Sequence, residues 1–231
     1  VRDAAYLNHY LNWAYLAAAQ GETDLAHEYF YQVFNLNPAV IGDDASKFVD
    51  SMIATSIRDG GEHEPLLRSV FSQIPPEFSS IAQRCDWAIA RGYLLRGTRE
   101  IIWGKPEEGA VLLARAAEMG AELDASFLNK TVHQLVDHEV VFGTDAMRRV
   151  LPNLVAQLSR IGNPVQIRQL QGQISINQAF AGYRLQHYRD VPLNIIQAVA
   201  HDPGYLANRG VLSIFARSLV GMVQQMKRST P

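Results

Sequence analysis

The chain has 231 residues, of which 48% are hydrophobic, 19% charged and 9% aromatic, with a formal net charge of −2. That length can bury a sizeable core as one large domain or two small ones. The near balance of 21 basic against 23 acidic residues excludes an overall charge that would draw nucleic acid or an anionic membrane. One cysteine, Cys85, excludes an internal disulfide and a multi-thiolate zinc site, and fits a reducing, cytoplasmic setting. No apolar run reaches the roughly 18 residues of a membrane span; the best candidate, Val211 to Val223, is broken by Arg217. The sequence opens on Val1 with no charged-then-apolar leader behind it, and reads as a piece of something longer.

In chain order, helical periodicity dominates. From Asp3 to Gln20, the residues Tyr6, Leu7, Tyr10, Trp13, Ala14 and Ala17 recur at steps of three and four and predict one apolar stripe. Gly21 interrupts it, and Thr23 or Asp24 offers an N-cap for a second stripe through Leu25, Ala26, Tyr29, Phe30, Val33, Phe34 and Leu36. Asn37-Pro38 ends that stripe, because proline cannot continue a helix and pushes the residue before it toward extended backbone. Further helices are predicted near 44–58, 64–73, 77–103, 106–119, 124–141, 144–161, 164–187, 190–201 and 210–227. Between them lie Asp59-Gly60-Gly61, Pro75-Pro76, Gly104-Lys105-Pro106, Gly120, Gly143, Gly162-Asn163-Pro164 and Asp202-Pro203-Gly204. Pro106 and Pro192 suit the first turn of a helix, where a missing N–H costs little. Val140-Val141-Phe142 has strand-like composition but is too short to outweigh its helical flanks. The chain is predicted to be all-α, with about ten or eleven helices and no low-complexity linker.

The segment Leu7 to Ala39 resembles the tetratricopeptide pattern, most closely in its second half. Gly21 falls in the turn, Ala26 sits where two helices pack closely, and Phe30, Val33, Leu36 and Pro38 complete the pattern. In the first half Tyr10 and Trp13 fill the large apolar positions, and Ala14 replaces the usual glycine. Such patterns reflect close helix–helix approach at small residues, locked by an aromatic. Two later segments echo it: Ala90 to Ala121, with Tyr93, Gly97, Gly104, Gly109, Leu113 and Ala116, and Gly172 to Pro203, with Ala179, Gly182, Val191, Ile195 and Ala198. Pro38 and Pro203 are 165 positions apart, not a whole number of repeats of about 34 residues. The expected architecture is therefore a single domain over 1–231, an irregular tetratricopeptide-like array of antiparallel helical hairpins (an alpha-alpha superhelix), clearest at 4–38, 77–120 and 165–203.

Three phrases in the last third, Tyr188-Arg189-Asp190-Val191, Ala198-Val199-Ala200-His201-Asp202-Pro203 and Asn208-Arg209-Gly210-Val211-Leu212-Ser213, resemble the helical region C-terminal to family 2 glycosyltransferase domains in some bacteria. Val70 to Glu77 and the Gly92 to Ala117 hairpin are similar to the same region, so the resemblance covers roughly residues 4–222. It implies that the transfer chemistry belongs to an upstream nucleotide-sugar domain with a metal-binding Asp-x-Asp motif. No Asp-x-Asp occurs in this sequence, and no catalytic residue carries over.

Other chemistry leaves few traces. Phosphate-cradling glycine motifs and the Gly-x-Ser-x-Gly elbow are absent from the sequence. Cys85, within a predicted helix, reads as a buried structural thiol. His133 and Asp137 share a helix face, whereas His138 is rotated away by about 140°, so the spacing of a helical zinc site is not met and these read as solvated or packed side chains. Glu62-His63-Glu64 before Pro65 could hold a cation weakly, but acidic residues there, like Asp43-Asp44, are better explained as a helix N-terminus. Paired carboxylates for glycoside hydrolysis do not stand out. Arginine outnumbers lysine seventeen to four, with the charges scattered as on a solvated face. No cofactor and no metal are called for.

The leading expectation is a non-catalytic helical-repeat interaction module, the accessory tail of a larger bacterial glycosyltransferase. Its concave surface would be built from the first helix of each hairpin: Asn8, Leu11 and Tyr15, then Arg91, Leu94 and Thr98, then Phe180, Tyr183 and Arg184. The expected partner is a protein or peptide, or the upstream catalytic domain in cis. An alternative is saccharide binding by Tyr15 and Tyr31, the two aromatics of the crowded N-terminal stretch that the stripes leave facing outward. A third is a stand-alone adaptor or a dimerisation domain, the latter pairing through a terminal helix at 210–227.

Overall fold

The computed structural model describes residues 2–36, 49–50, 53–54 and 62–228, with backbone alone at 2–5, 8 and 226–228. These residues contain no strand, as the helical periodicity requires. The helices are α1 (Arg2–Gln20), α2 (Thr23–Leu36), α3 (His63–Ser72), a single-turn α4 (Ser79–Ala82), α5 (Cys85–Ile102), α6 (Pro106–Glu118), α7 (Ala125–Phe142), α8 (Thr144–Leu158), α9 (Pro164–Arg184), α10 (Val191–His201) and α11 (Arg209–Arg228). Short 3-10 turns lie at Pro76–Phe78 and Pro203–Ala207. The helix expected at 44–58 falls largely outside the described residues; 49–50 and 53–54 are helical. The continuous helix expected at 77–103 is broken instead. Arg84 N–H donates to the Ile81 carbonyl at 2.9 Å, a tighter i to i−3 bond that stops α4 and restarts the chain at Cys85.

Local chemistry sets the helix ends. Asp124 caps α7 by accepting from Phe127 N–H at 2.7 Å. Asn163 forms a full capping box on α9, accepting from the Val165 and Gln166 N–H groups at 3.0 Å while the Gln166 side chain accepts from Asn163 N–H at 2.9 Å. Pro106 and Pro192 occupy first turns, as the sequence predicts, and Pro164 does the same. Gly21, Gly104 and Gly120 each close a helix in left-handed backbone, with the paired 6→1 and 5→2 bonds of a Schellman motif. The end of α9 repeats those two bonds, from His187 N–H to Gly182 O at 2.8 Å and from Gln186 N–H to Tyr183 O at 3.1 Å. There the left-handed residue is Gln186, at φ +59°.

The helices gather into two compact units. One comprises Val1–Gly97 and Val111–Ala121, the other Thr98–Ala110 and Glu122–Pro231. In the first, α1 and α2 pack along their length as a hairpin. The small residues Ala14, Ala18 and Ala26 are fully buried between them, with Phe30. The buried face of α1 is Leu11, Ala14, Tyr15, Ala17 and Ala18, and Trp13 lies 39% exposed. The stripe centred on Tyr10 and Trp13 is thus turned by about one residue, or 100°, because the run of alanines permits closer approach than the ring-bearing face. In the second unit α9, α10 and α11 share a core of Ile176, Ala179, Val191, Ile195, Ala198 and Val211.

A non-glycine residue in left-handed backbone costs about 1–2 kcal/mol. Gln186→Gly is expected to stabilise the fold by roughly 0.5–1 kcal/mol after the extra unfolded-state freedom of glycine is subtracted. Urea unfolding midpoints of the two proteins measure this.

Candidate functional site

Of the residues expected from the repeat frame to line a concave surface, Leu11, Tyr15, Arg91, Leu94 and Thr98 are buried. Leu11 and Tyr15 are 7% and 6% exposed, and Leu94 and Thr98 are sealed at 0% and 1%. Their positions on α1 and α5 face the interior because apolar and small neighbours draw that face inward. Arg91 is buried as well: its Nη2 donates to Asp50 Oδ2 at 3.0 Å and its Nε donates to Asp50 Oδ1. Its guanidinium also lies 5.5 Å from the Trp87 ring centre. It is a core ion pair, where charge reversal would leave Asp50 stranded rather than disturb a partner. Phe180 and Tyr183 are half-buried against the α9–α11 core, and only Arg184 is exposed. The side chain of Asn8 lies outside the described residues. Tyr31, expected to face outward, is half-buried with its ring 5.5 Å from Phe78.

The clusters weighed for metal or catalysis are also resolved. His133 is exposed and its Nδ1 contacts the Asn129 carbonyl at 2.7 Å, whereas His138 is buried against Trp103 and Phe142. Among the described residues no group of three His, Cys, Asp or Glu side chains could hold a metal ion. Cys85 begins α5 rather than lying within it and is half-buried, not buried as expected; partial burial pushes its thiol pKa up, which disfavours the nucleophilic thiolate.

Glu62-His63-Glu64 has a different outcome. These residues start α3, and with Arg68, Tyr93, Arg96 and Leu112 they line an open cleft of about 450 Å³ between α3, α5 and α6. His63 is its buried floor, 1% exposed. Its ring fits because Gly92 faces it: a Cβ at Gly92 would come within 2.1 Å of His63 Cδ2. Glycine inside a helix costs about 1 kcal/mol relative to alanine, and here it makes room for the ring. Tyr93 packs edge-on against the same ring, centroids 4.4 Å apart.

The hydrogen bonds fix the tautomer of His63. Nε2 lies 3.1 Å from the Ile89 carbonyl, which can only accept, so Nε2 carries the proton. Nδ1 then accepts from Arg96 Nη1 at 3.3 Å. Burial is the main cause that holds the His63 pKa below its ordinary value, with the nearby Arg96 charge acting the same way. Glu64 is equally committed. Its Oε1 accepts from Arg68 at 2.8 Å and 3.1 Å, and its Oε2 accepts from the Tyr93 hydroxyl at 2.6 Å. The Tyr93 bond, then Arg68, lowers the Glu64 pKa, and the same bond raises that of Tyr93.

Arg68 is therefore neutralised, pairing with Glu64 and, at 3.3 Å, with Asp86. Arg96 is not. It is half-buried, its recorded bond is to a neutral imidazole, and no carboxylate pairs with it among the described residues. The cleft thus presents one guanidinium with most of its donors available, beside a tyrosine ring and the apolar Leu112. Sequence reasoning assigned the acidic residues here to a helix start and passed over Arg96. The available signal was Gly92, an unexplained glycine inside a strong helical pattern.

No family model, curated protein or solved structure matches the chain. The three glycosyltransferase-like phrases have structural duties of their own. Asp202 Oδ1 accepts from Gly204 N–H and Asn208 Oδ1 from Gly210 N–H, both at 2.9 Å, and a Cβ at Gly221 would meet the Tyr188 ring within 2.5 Å.

Gly92→Ala is expected to cost about 1–3 kcal/mol through overpacking, although alanine ordinarily favours a helix; thermal and urea unfolding measure it. The His63 pKa gives a signed pH effect. The unfolded chain takes up a proton below about pH 6.5 while the folded imidazole resists it. Its stabilising contribution is therefore complete above that range and is lost as pH falls through the folded value. The slope of unfolding free energy against pH below neutrality should be shallower in His63→Gln than in the parent.

Proposed function

We propose that the chain is a non-catalytic helical interaction module that receives an acidic side chain or short acidic segment of a protein partner in the α3/α5/α6 cleft. The observation that carries this reading is Arg96, a half-buried guanidinium aimed by a neutral histidine and lacking a carboxylate partner among the described residues. Arginine in that state matches a carboxylate in charge and in fork geometry. A non-catalytic role is supported by the commitments of the neighbouring groups. Both His63 nitrogens and both Glu64 oxygens are already bonded, so neither is placed to move a proton on a ligand. The repeat-array reading is supported by the α1–α2 hairpin, where Ala14, Ala26 and Phe30 are buried beside the Gly21 turn. A place as the accessory part of a family 2 glycosyltransferase, with the catalytic domain as the partner in cis, rests on the sequence phrases alone.

An aromatic cluster favours saccharide as the second reading, but at a different place from that expected. Trp13 is 39% exposed with Tyr29 5.2 Å and His9 3.8 Å from its ring centre, and Tyr6 is 52% exposed. These rings, rather than Tyr15 and Tyr31, could stack on a sugar.

Histidine-ring NMR separates the two. Titration with an acetylated peptide of glutamates should shift the His63 ring resonances in the parent and leave them fixed in Arg96→Gln. A neutral oligosaccharide that moves Trp13 signals while the acidic peptide moves nothing would replace the first reading with the second.

A further inference from the structure

The α3/α5/α6 cleft holds a second free charge, opposite in sign to Arg96. Glu62, Glu64, Arg68 and Arg96 are the charged side chains of its lining. Glu64 and Arg68 satisfy each other, and the Tyr93 hydroxyl holds Glu64 further. Arg96 is left with a neutral imidazole. Glu62 is exposed, and it precedes α3 at the N-cap without capping the helix through its side chain. It has no hydrogen bond or ion pair among the described residues.

The two free charges flank one ring. Glu62 is joined to His63 in the chain, and Arg96 Nη1 lies 3.3 Å from His63 Nδ1. Both charges act on the imidazole, in opposite senses. No ion pair joins them to each other. The floor of the cleft thus lies between a guanidinium and a carboxylate that each lack a charged partner.

A ligand that carries both a carboxylate and a cation matches such a pair. A purely acidic segment fills Arg96 but sets its further carboxylates against Glu62, and like charges held together oppose binding. A lone carboxylate leaves Glu62 unused. Pro65, Leu112 and Tyr93 supply the rest of the lining, which suits the methylene stem of a long basic side chain.

We propose that the cleft recognises an acidic residue with a lysine or arginine beside it in the partner's sequence. The partner's carboxylate accepts from Arg96, and its cation pairs with Glu62. This specificity rests on Arg96 as the carboxylate receptor, with Glu62 as the residue that selects among acidic ligands.

Capped peptides with one central glutamate test this on the full chain, flanked on both sides by lysine, by glutamine or by further glutamate. Shifts of the His63 ring resonances give the Kd of each. An exposed ion pair is a small effect, so the lysine-flanked peptide should bind about two- to fivefold more tightly than the glutamine-flanked one. That advantage should shrink as salt is added. Glu62→Gln should erase the difference between lysine and glutamine flanks. Glu62→Lys should reverse the order, with glutamate flanks binding more tightly than lysine flanks. Both variants change an exposed side chain without a hydrogen bond and should keep the parent's unfolding midpoint. Arg96→Gln should weaken all of the peptides by about tenfold or more. A peptide with lysine flanks and glutamine at its centre should leave the ring unmoved. Equal Kd values for lysine and glutamine flanks, or a lysine advantage that survives Glu62→Gln, overturn the specificity while Arg96 keeps its role. If none of the glutamate peptides moves the His63 ring, the carboxylate reading itself fails and the specificity falls with it.

Discussion

The recurring contact in this protein is a bulky side chain seated on the bare backbone of a glycine elsewhere in the chain. His63 lies on Gly92, Leu123 on Gly162 and Tyr188 on Gly221, each so close that a Cβ at the glycine would fall within 2.5 Å of the opposing side chain. The alanines of α1 and α2 apply the same constraint more mildly. Segments approach most closely where one of them lacks a side chain, and at Gly92 and Gly221, which lie within helices, the gain in packing outweighs the lower helix propensity of glycine. Because such contacts are specific in position, they fix how each helix is rotated about its axis, and rotation decides which residues become core and which become surface.

The cleft illustrates what that rotation does for chemistry. Gly92 admits the His63 ring; the enclosed ring stays neutral; its unprotonated nitrogen then holds Arg96 without neutralising it. Were a carboxylate in that place, Arg96 would be a saturated ion pair like Arg91 with Asp50 or Arg68 with Glu64. Three arginines on or facing one helix therefore differ according to what they touch: Arg91 is paired in the core, Arg68 is neutralised at the rim, and Arg96 has no carboxylate partner among the described residues. The cleft is small and polar, and suits the tip of a side chain or a short segment.

The sequence by itself determined the helices and their ends. Periodicity in steps of three and four located the elements, and glycine, proline and Asn163 marked their boundaries, because these effects act over a few neighbouring residues. The restart at Cys85 and the left-handed Gln186 escaped it, since each breaks a local preference. Which face each helix buries was decided only in the tertiary structure. On α1, Tyr6, Tyr10 and Trp13 were as apolar as the alanines that entered the core. On α5, Arg91 and Arg96 lie in one helix, yet only Arg91 has Asp50, 41 residues away, as its buried partner. A stripe shows that a helix has an inside; the size of the residues facing it from distant parts of the chain sets where that inside begins.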